Sequence, residues 1–261
     1  MKSYIKNIVV LVVTIIIAVI ASMDFLSMHK NEEIAHNPSI TEIKMLSQYS
    51  PRLKGTSLDT EVYFFDSGIE GGTFLILGGT HPNETAGLVA ATALIENISV
   101  EEGRVIIIPR TNNSGFTHTS PFDGMQDFFT LTLEDGTERT FRVGNRLTNP
   151  VHQWPDMNYY EGTSGRTIYG TENAEVRNVN RLYYGTEDGV LTEQVCYGIY
   201  NLINEENVSI TMDMHEGSPE FLYLDCTMVN MKRDNTTAMS IASDMALSMN
   251  FDDLDMRAEY S

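Results

Sequence analysis

Residues 8–21 are apolar at every position except Thr14, and nothing later in the chain repeats that density. Lys2 and Lys6 precede the run, and polar sequence follows from about residue 22. An uninterrupted apolar stretch behind a basic flank, with no polar face and at the chain start, predicts an export segment over residues 1–25 rather than a buried helix of a globular domain. At this length it sits between a signal-peptide core and a full membrane span, and Ile5 and residues 23–26 lengthen it. Cleaved signal peptide and retained membrane anchor are both open, and either places the rest of the chain outside the cytoplasm, secreted or tethered.

Beyond a polar lead-in, the pattern predicts a short helix over 40–46 and β-rich runs over 61–66 and 73–77, separated by a turn through Gly68, Gly71 and Gly72. An Ala- and Leu-rich segment over 86–95 predicts a helix, and the continuous apolar run 105–108 predicts a strand buried on both faces. Strand, helix, strand implies a parallel pair. A helical pattern over 191–204 and a strand over 208–212 resume that alternation, so the fold class is α/β. Between 112 and 184 periodicity weakens and Gly, Thr, Asn and Asp accumulate; a hairpin is expected where 128–133 and 137–143 flank Asp135-Gly136. A structureless loop of that size is unexpected in a compact domain, so the region is read as an elaborated insertion forming a wall of the site. Residues 239–249 predict a helix, after which no closing strand is evident.

Composition narrows the picture. The chain has 261 residues, 42% of them hydrophobic, enough for one core, and residues 26–261 are taken as a single domain. Its 17 basic and 36 acidic residues give a net charge of -19, which repels phosphate backbones and argues against nucleic-acid binding. Cys196 and Cys226 are the two cysteines, with one disulfide or two unpaired thiols equally open.

The candidate chemistry lies at two strand ends. His81 and Glu84 follow the strand 73–77 across Gly78-Gly79-Thr80, and His215 follows the strand 208–212. Ligands gather outside the carboxyl ends of strands in open α/β sheets, so all three face the expected crevice. An HxxE spacing alone also fits a helix N-terminus where Glu84 favours the positive dipole end. With His215 the set becomes two imidazoles and a carboxylate, which leaves zinc an open position for water and points to hydrolysis. Asp213, two residues before His215, points to the same side, either orienting His215 as a hydrogen-bond acceptor or lying solvated at the strand end. Arg110 also ends a strand, as a second cationic contact or a plain salt bridge.

The segments Gly78-Gly79-Thr80-His81-Pro82-Asn83-Glu84, Asn180-Arg181 and Asp213-Met214-His215 together resemble the zinc carboxypeptidase superfamily, especially its succinylglutamate desuccinylase and aspartoacylase branch. The match spans roughly residues 60–225. The resemblance implies a mixed, largely parallel central sheet with helices on both faces. It makes His81, Glu84 and His215 zinc ligands, and gives Asn180 and Arg181 the substrate carboxylate or scissile carbonyl to hold. Pro82 stands where the family has glycine, and Asn178 where it often has an acidic residue. The family's general base is a glutamate several tens of residues after the second histidine. Here Glu216, Glu220 and Glu259 are the glutamates after His215, none in a late core strand, so no catalytic base is assigned and a shortened C-terminus is expected.

Three readings follow. The first is a zinc hydrolase cleaving an amide of an acylated amino acid or peptide; the second is a zinc-binding module that holds such ligands without turnover. The third is a membrane-anchored interaction protein whose histidines are incidental.

Overall fold

The computed structural model describes residues 2–27, 30–119, 124–154, 159–161, 167–169, 175–217, 226–229, 236–250 and 257–260. Helix α1 (Lys2–Ser27) comes first, followed by β1 (Glu42–Met45), β2 (Glu61–Asp66), β3 (Thr73–Leu77), α2 (Thr85–Asn97) and β4 (Arg104–Ile108). Next are β5 (Phe128–Thr132), β6 (Glu138–Arg142), β7 (Tyr159–Glu161), β8 (Thr167–Tyr169), α3 (Leu191–Glu205) and β9 (Ile210–Asp213). Then come β10 (Cys226–Val229), α4 (Thr236–Asn250) and β11 (Arg257–Tyr260).

Five strands form one mixed sheet in the order β1-β2-β4-β3-β9. β4, β3 and β9 run parallel, and β2 and β1 close that edge antiparallel. The runs 61–66 and 73–77 are both strands but do not pair with each other, because β4 lies between them. The two-residue period of a strand sends alternate side chains to opposite faces, and here both faces are covered. Val62, Phe64, Leu75, Leu77, Ile106 and Ile108 pack with Val195, Cys196, Ile199 and Leu202 of α3. Tyr63, Phe65, Ile76 and Ile107 pack with Ala91 and Ile95 of α2. Each aliphatic side chain so buried contributes about 1.5–3 kcal/mol, so this sandwich holds β3 in place, and β9 is held to it by backbone pairing.

Four sequence expectations resolve differently or further. Residues 40–46 do not form a helix: β1 pairs with β2, setting Ile43 opposite Tyr63, and a 3-10 turn follows at Leu46–Gln48. Pairing with the sheet edge satisfies the backbone where one isolated turn of helix could not. A strand does follow α4, since β11 pairs parallel with β10 in a separate two-stranded sheet against which α4 lies. Arg110 is the salt-bridge alternative: its Nε donates to Glu32 Oε1 at 2.8 Å, its second terminal nitrogen reaches Glu32 Oε2, and the group is 5% exposed. Cys196 is a free buried thiol whose Sγ faces the Val179 carbonyl, so the disulfide alternative falls away.

The expected hairpin forms from β5 and β6, with Asp135 Oδ1 accepting from Thr137 N and Gly136 at φ +82°. Phe141 of β6 packs with Phe116 and Leu88, which seats the hairpin against α2. Residues 4–27 of α1 are long and apolar enough to cross a membrane: at 1.5 Å per residue they span about 36 Å, and none of the apolar window is buried.

Candidate metal centre

The register of β3 and β9 places Leu77 opposite Asp213, so the two chain segments leaving these strands emerge side by side. Met214 N donates to Leu77 O at 3.0 Å, extending the pairing one step. The β3 segment then turns at Gly79, whose φ of +59° favours glycine. Gly78 is needed for a different reason: a Cβ there would lie 2.6 Å from Gly87 O and 2.7 Å from the Ala91 Cβ, so α2 approaches too closely for any side chain.

This turn delivers His81 and Glu84 to His215. Glu84 occupies the N-cap of α2 but makes no side-chain cap bond. Its carboxylate instead lies between the histidines, with His81 Nδ1 2.7 Å from Oε1 and His215 Nδ1 2.7 Å from Oε2. The helix end is served by Glu216, whose Oε1 accepts from Ala86 N at 2.5 Å. The alternative in which Glu84 only caps α2 is thereby set aside.

Each imidazole is held from its other nitrogen. His81 Nε2 lies 3.0 Å from Asn178 Oδ1, and His215 Nε2 lies 3.1 Å from Asp213 Oδ2. Asn178 Nδ2 donates to Glu175 Oε2 at 2.8 Å, and a carboxylate only accepts, so the amide oxygen must face His81. Asp213 is fixed by Thr80, whose hydroxyl donates to Oδ1 at 2.7 Å. In both rings Nε2 therefore donates outward, to Asn178 or Asp213, and Nδ1 faces the Glu84 carboxylate.

Burial is graded across the group. His81 is 2% exposed, Glu84 is largely buried and His215 is about 30% exposed, so the site opens on the His215 side. Burial opposes the Glu84 charge, but the bonds from His215 and then His81 outweigh it and hold the carboxyl at about 2. For His215, burial likewise opposes the charge, and Asp213 followed by Glu84 raises the imidazole to about 10.

The donor set fits a metal ion. One ligand atom from each of His81, Glu84 and His215 lies within 4.8 Å of the others. Two imidazole nitrogens and a carboxylate facing one another, with both Nε2 atoms engaged by acceptors, are ligand types that metal ions take.

Asn180 and Arg181 lie in the 3-10 turn Val179–Arg181, whose Val179 is buried in the α3-side core. Arg181 is not brought onto the histidines directly. Its Nε lies 3.1 Å from Glu175 Oε2, the same oxygen that accepts from Asn178, so a polar chain runs His81, Asn178, Glu175, Arg181. Arg146 was not foreseen. Its terminal nitrogen lies 3.4 Å from Glu84 Oε1 and 3.3 Å from His81 Nδ1, reaching the group from the segment after the hairpin. That segment is tied to the turn by Gly144 N, which donates to Pro82 O at 3.0 Å. Glu220 lies outside the described residues, and Glu259 is on β11 opposite Met228.

No protein-family model matches the chain, and no curated protein matches it. Solved structures do. An aspartoacylase family protein from Mesorhizobium loti is 17% identical with a TM-score of 0.47, covering 84% of this chain and 55% of that one. A succinylglutamate desuccinylase from Silicibacter sp. is 16% identical with a TM-score of 0.42, covering 73% of this chain and 42% of that one. A metallo-carboxypeptidase from Burkholderia cenocepacia is 11% identical with a TM-score of 0.45, covering 91% and 52%. The chain spans about half the length of these structures.

Proposed function

We propose that this chain is a zinc-dependent hydrolase that cleaves an amide bond of an acylated amino acid or a short peptide. The observation that carries the reading is the common orientation of His81 and His215, each turning Nδ1 to Glu84 while Nε2 is held by Asn178 or Asp213.

The chemistry zinc supplies in such a site is polarisation of the scissile carbonyl and a water made acidic near neutral pH. The chain's own residues do the rest. Asn178 and Asp213 fix the ligand tautomers. Arg146, beside Glu84, stabilises negative charge developing on the carbonyl oxygen. Arg181 takes the substrate carboxylate as a bidentate fork, exchanging its contact with Glu175 for one with the ligand.

A second reading, binding without turnover, is favoured by Glu216. It is the one glutamate after His215 whose side chain is described, and its carboxylate is engaged at the start of α2 rather than free to carry a proton. In both readings α1 serves as signal segment or membrane anchor and the site faces away from the cytoplasm.

The test uses the full chain in detergent, loaded with zinc, against a panel of N-acylated amino acids and short peptides. Release of free amine is expected, abolished by Glu84→Ala, with KM raised about 10–100-fold by Arg181→Ala for ligands bearing a carboxylate. Unchanged turnover in Glu84→Ala contradicts the site. Calorimetric binding with no amine released selects the second reading, and neither binding nor turnover across the panel overturns both.

A further inference from the structure

Away from the His81, Glu84 and His215 group, a cavity of about 350 Å³ is lined by Ser57, Arg110, Phe116, Thr117, Arg142 and His152, among others. Two guanidinium groups reach it, and their situations differ. Arg110 is fully engaged: Glu32 takes two of its nitrogens, Asn31 Oδ1 takes a third at 2.8 Å, and its Cζ lies 4.5 Å from the Phe116 ring centre.

Arg142 is 3% exposed, yet among the described residues no acceptor takes a hydrogen bond from its guanidinium. Its Nε is buried and unpaired, and its described contact is with the Phe128 ring, 5.7 Å from Cζ. The nearby carboxylates attract Arg142 through space without accepting a hydrogen bond from it: Glu32 pairs with Arg110, and Asp127 Oδ1 accepts from the Thr119 hydroxyl at 2.8 Å. Burial, and then the charge of Arg110, hold the Arg142 guanidinium below its ordinary pKa. A buried cation without acceptors is costly, and the penalty is offset only when an anion or water fills the space in front of it.

We propose that this cavity is a second ligand site, separate from the metal-type group, in which Arg142 binds a small oxyanion, a carboxylate or a phosphate. The planar fork of an arginine presents paired donors to two oxygens of either group. Ser57 Oγ and His152 Nε2, 3.2 Å apart, supply further polar contacts, with His152 held in place by Ser114 Oγ 2.7 Å from Nδ1. Phe116 offers an apolar wall to the carbon part of an organic anion.

The experiment titrates the full chain in detergent with sodium succinate and, separately, inorganic phosphate, at constant ionic strength set by chloride and with EDTA present. Saturable binding by calorimetry is expected for at least one anion, and which one binds distinguishes a carboxylate from a phosphate ligand. Arg142→Gln weakens it at least about tenfold. Ser57→Asp, which places a competing carboxylate in the same cavity from a half-buried position, does the same and decides the matter where Arg142→Gln does not fold. Absence of saturable binding by either anion, or affinity within about twofold of the original in the folded variants, overturns the proposal.

Discussion

Asn178 holds His81 from behind: its Oδ1 lies 3.0 Å from Nε2, both side chains are buried, and 97 residues of chain separate them. The contact decides which imidazole nitrogen faces Glu84. Removing it leaves Nε2 without an acceptor and the ring free to choose the other tautomer. Asn178→Ala is therefore expected to weaken zinc binding about 10–100-fold in competition with a chromophoric chelator. Asn178→Asp keeps an acceptor and retains most of the affinity.

The approach of α2 to the end of β3 gives a second expectation. Gly78→Ala drives a methyl group into Gly87 O and the Ala91 side chain, where the backbone offers no room. Overpacking of this kind costs about 1–3 kcal/mol, read as a lower midpoint in thermal or urea unfolding. Because the strain falls at the root of the His81 turn, metal affinity drops with it, whereas an alanine at exposed Gly136 of the hairpin turn affects the hairpin alone.

Glu206, the residue after α3, ties the sheet edge together. It accepts from Tyr49 Oη at 2.6 Å, Lys44 Nζ at 3.0 Å and an Arg104 terminal nitrogen at 3.0 Å. Burial opposes its charge, but these donors outweigh burial and hold the carboxyl below its usual range. A folded-state pKa below the unfolded value stabilises the fold above the unfolded pKa, near 4.3, and that contribution is lost as pH falls through the folded pKa. Glu206→Gln is expected to lower stability by about 1–3 kcal/mol at pH 7. The gap between variant and parent should close progressively below about pH 4, measured by urea unfolding across pH 3–7.

Much of this arrangement is legible in the sequence, for a physical reason. Strands buried on both faces and the helices covering them carry long apolar patterns, so β3, β4, α2 and α3 stand out; β9, at the sheet edge, is marked by the apolar run before it, and the segments leaving β3 and β9 bring His81, Glu84 and His215 with them. What is hidden depends on contacts that leave no local period. Residues 40–46 have apolar spacing compatible with a helical turn, and only the β2 edge makes them a strand. Thr80, Arg146 and Glu175 are ordinary polar residues whose positions beside the group follow from tertiary packing alone. Asn178 was visible as a departure from an acidic residue in the motif, but its partner is His81, and it is Glu175 that meets Arg181.

The central claim is that His81, Glu84 and His215 together hold one zinc ion. The direct measurement is metal content by plasma mass spectrometry on the purified, detergent-solubilised full chain after exposure to zinc and gel filtration. About one equivalent per chain is predicted, falling to background in His81→Ala and in His215→Ala while circular dichroism stays that of a folded protein. A folded parent chain without stoichiometric zinc, or variants that keep it, would contradict the account.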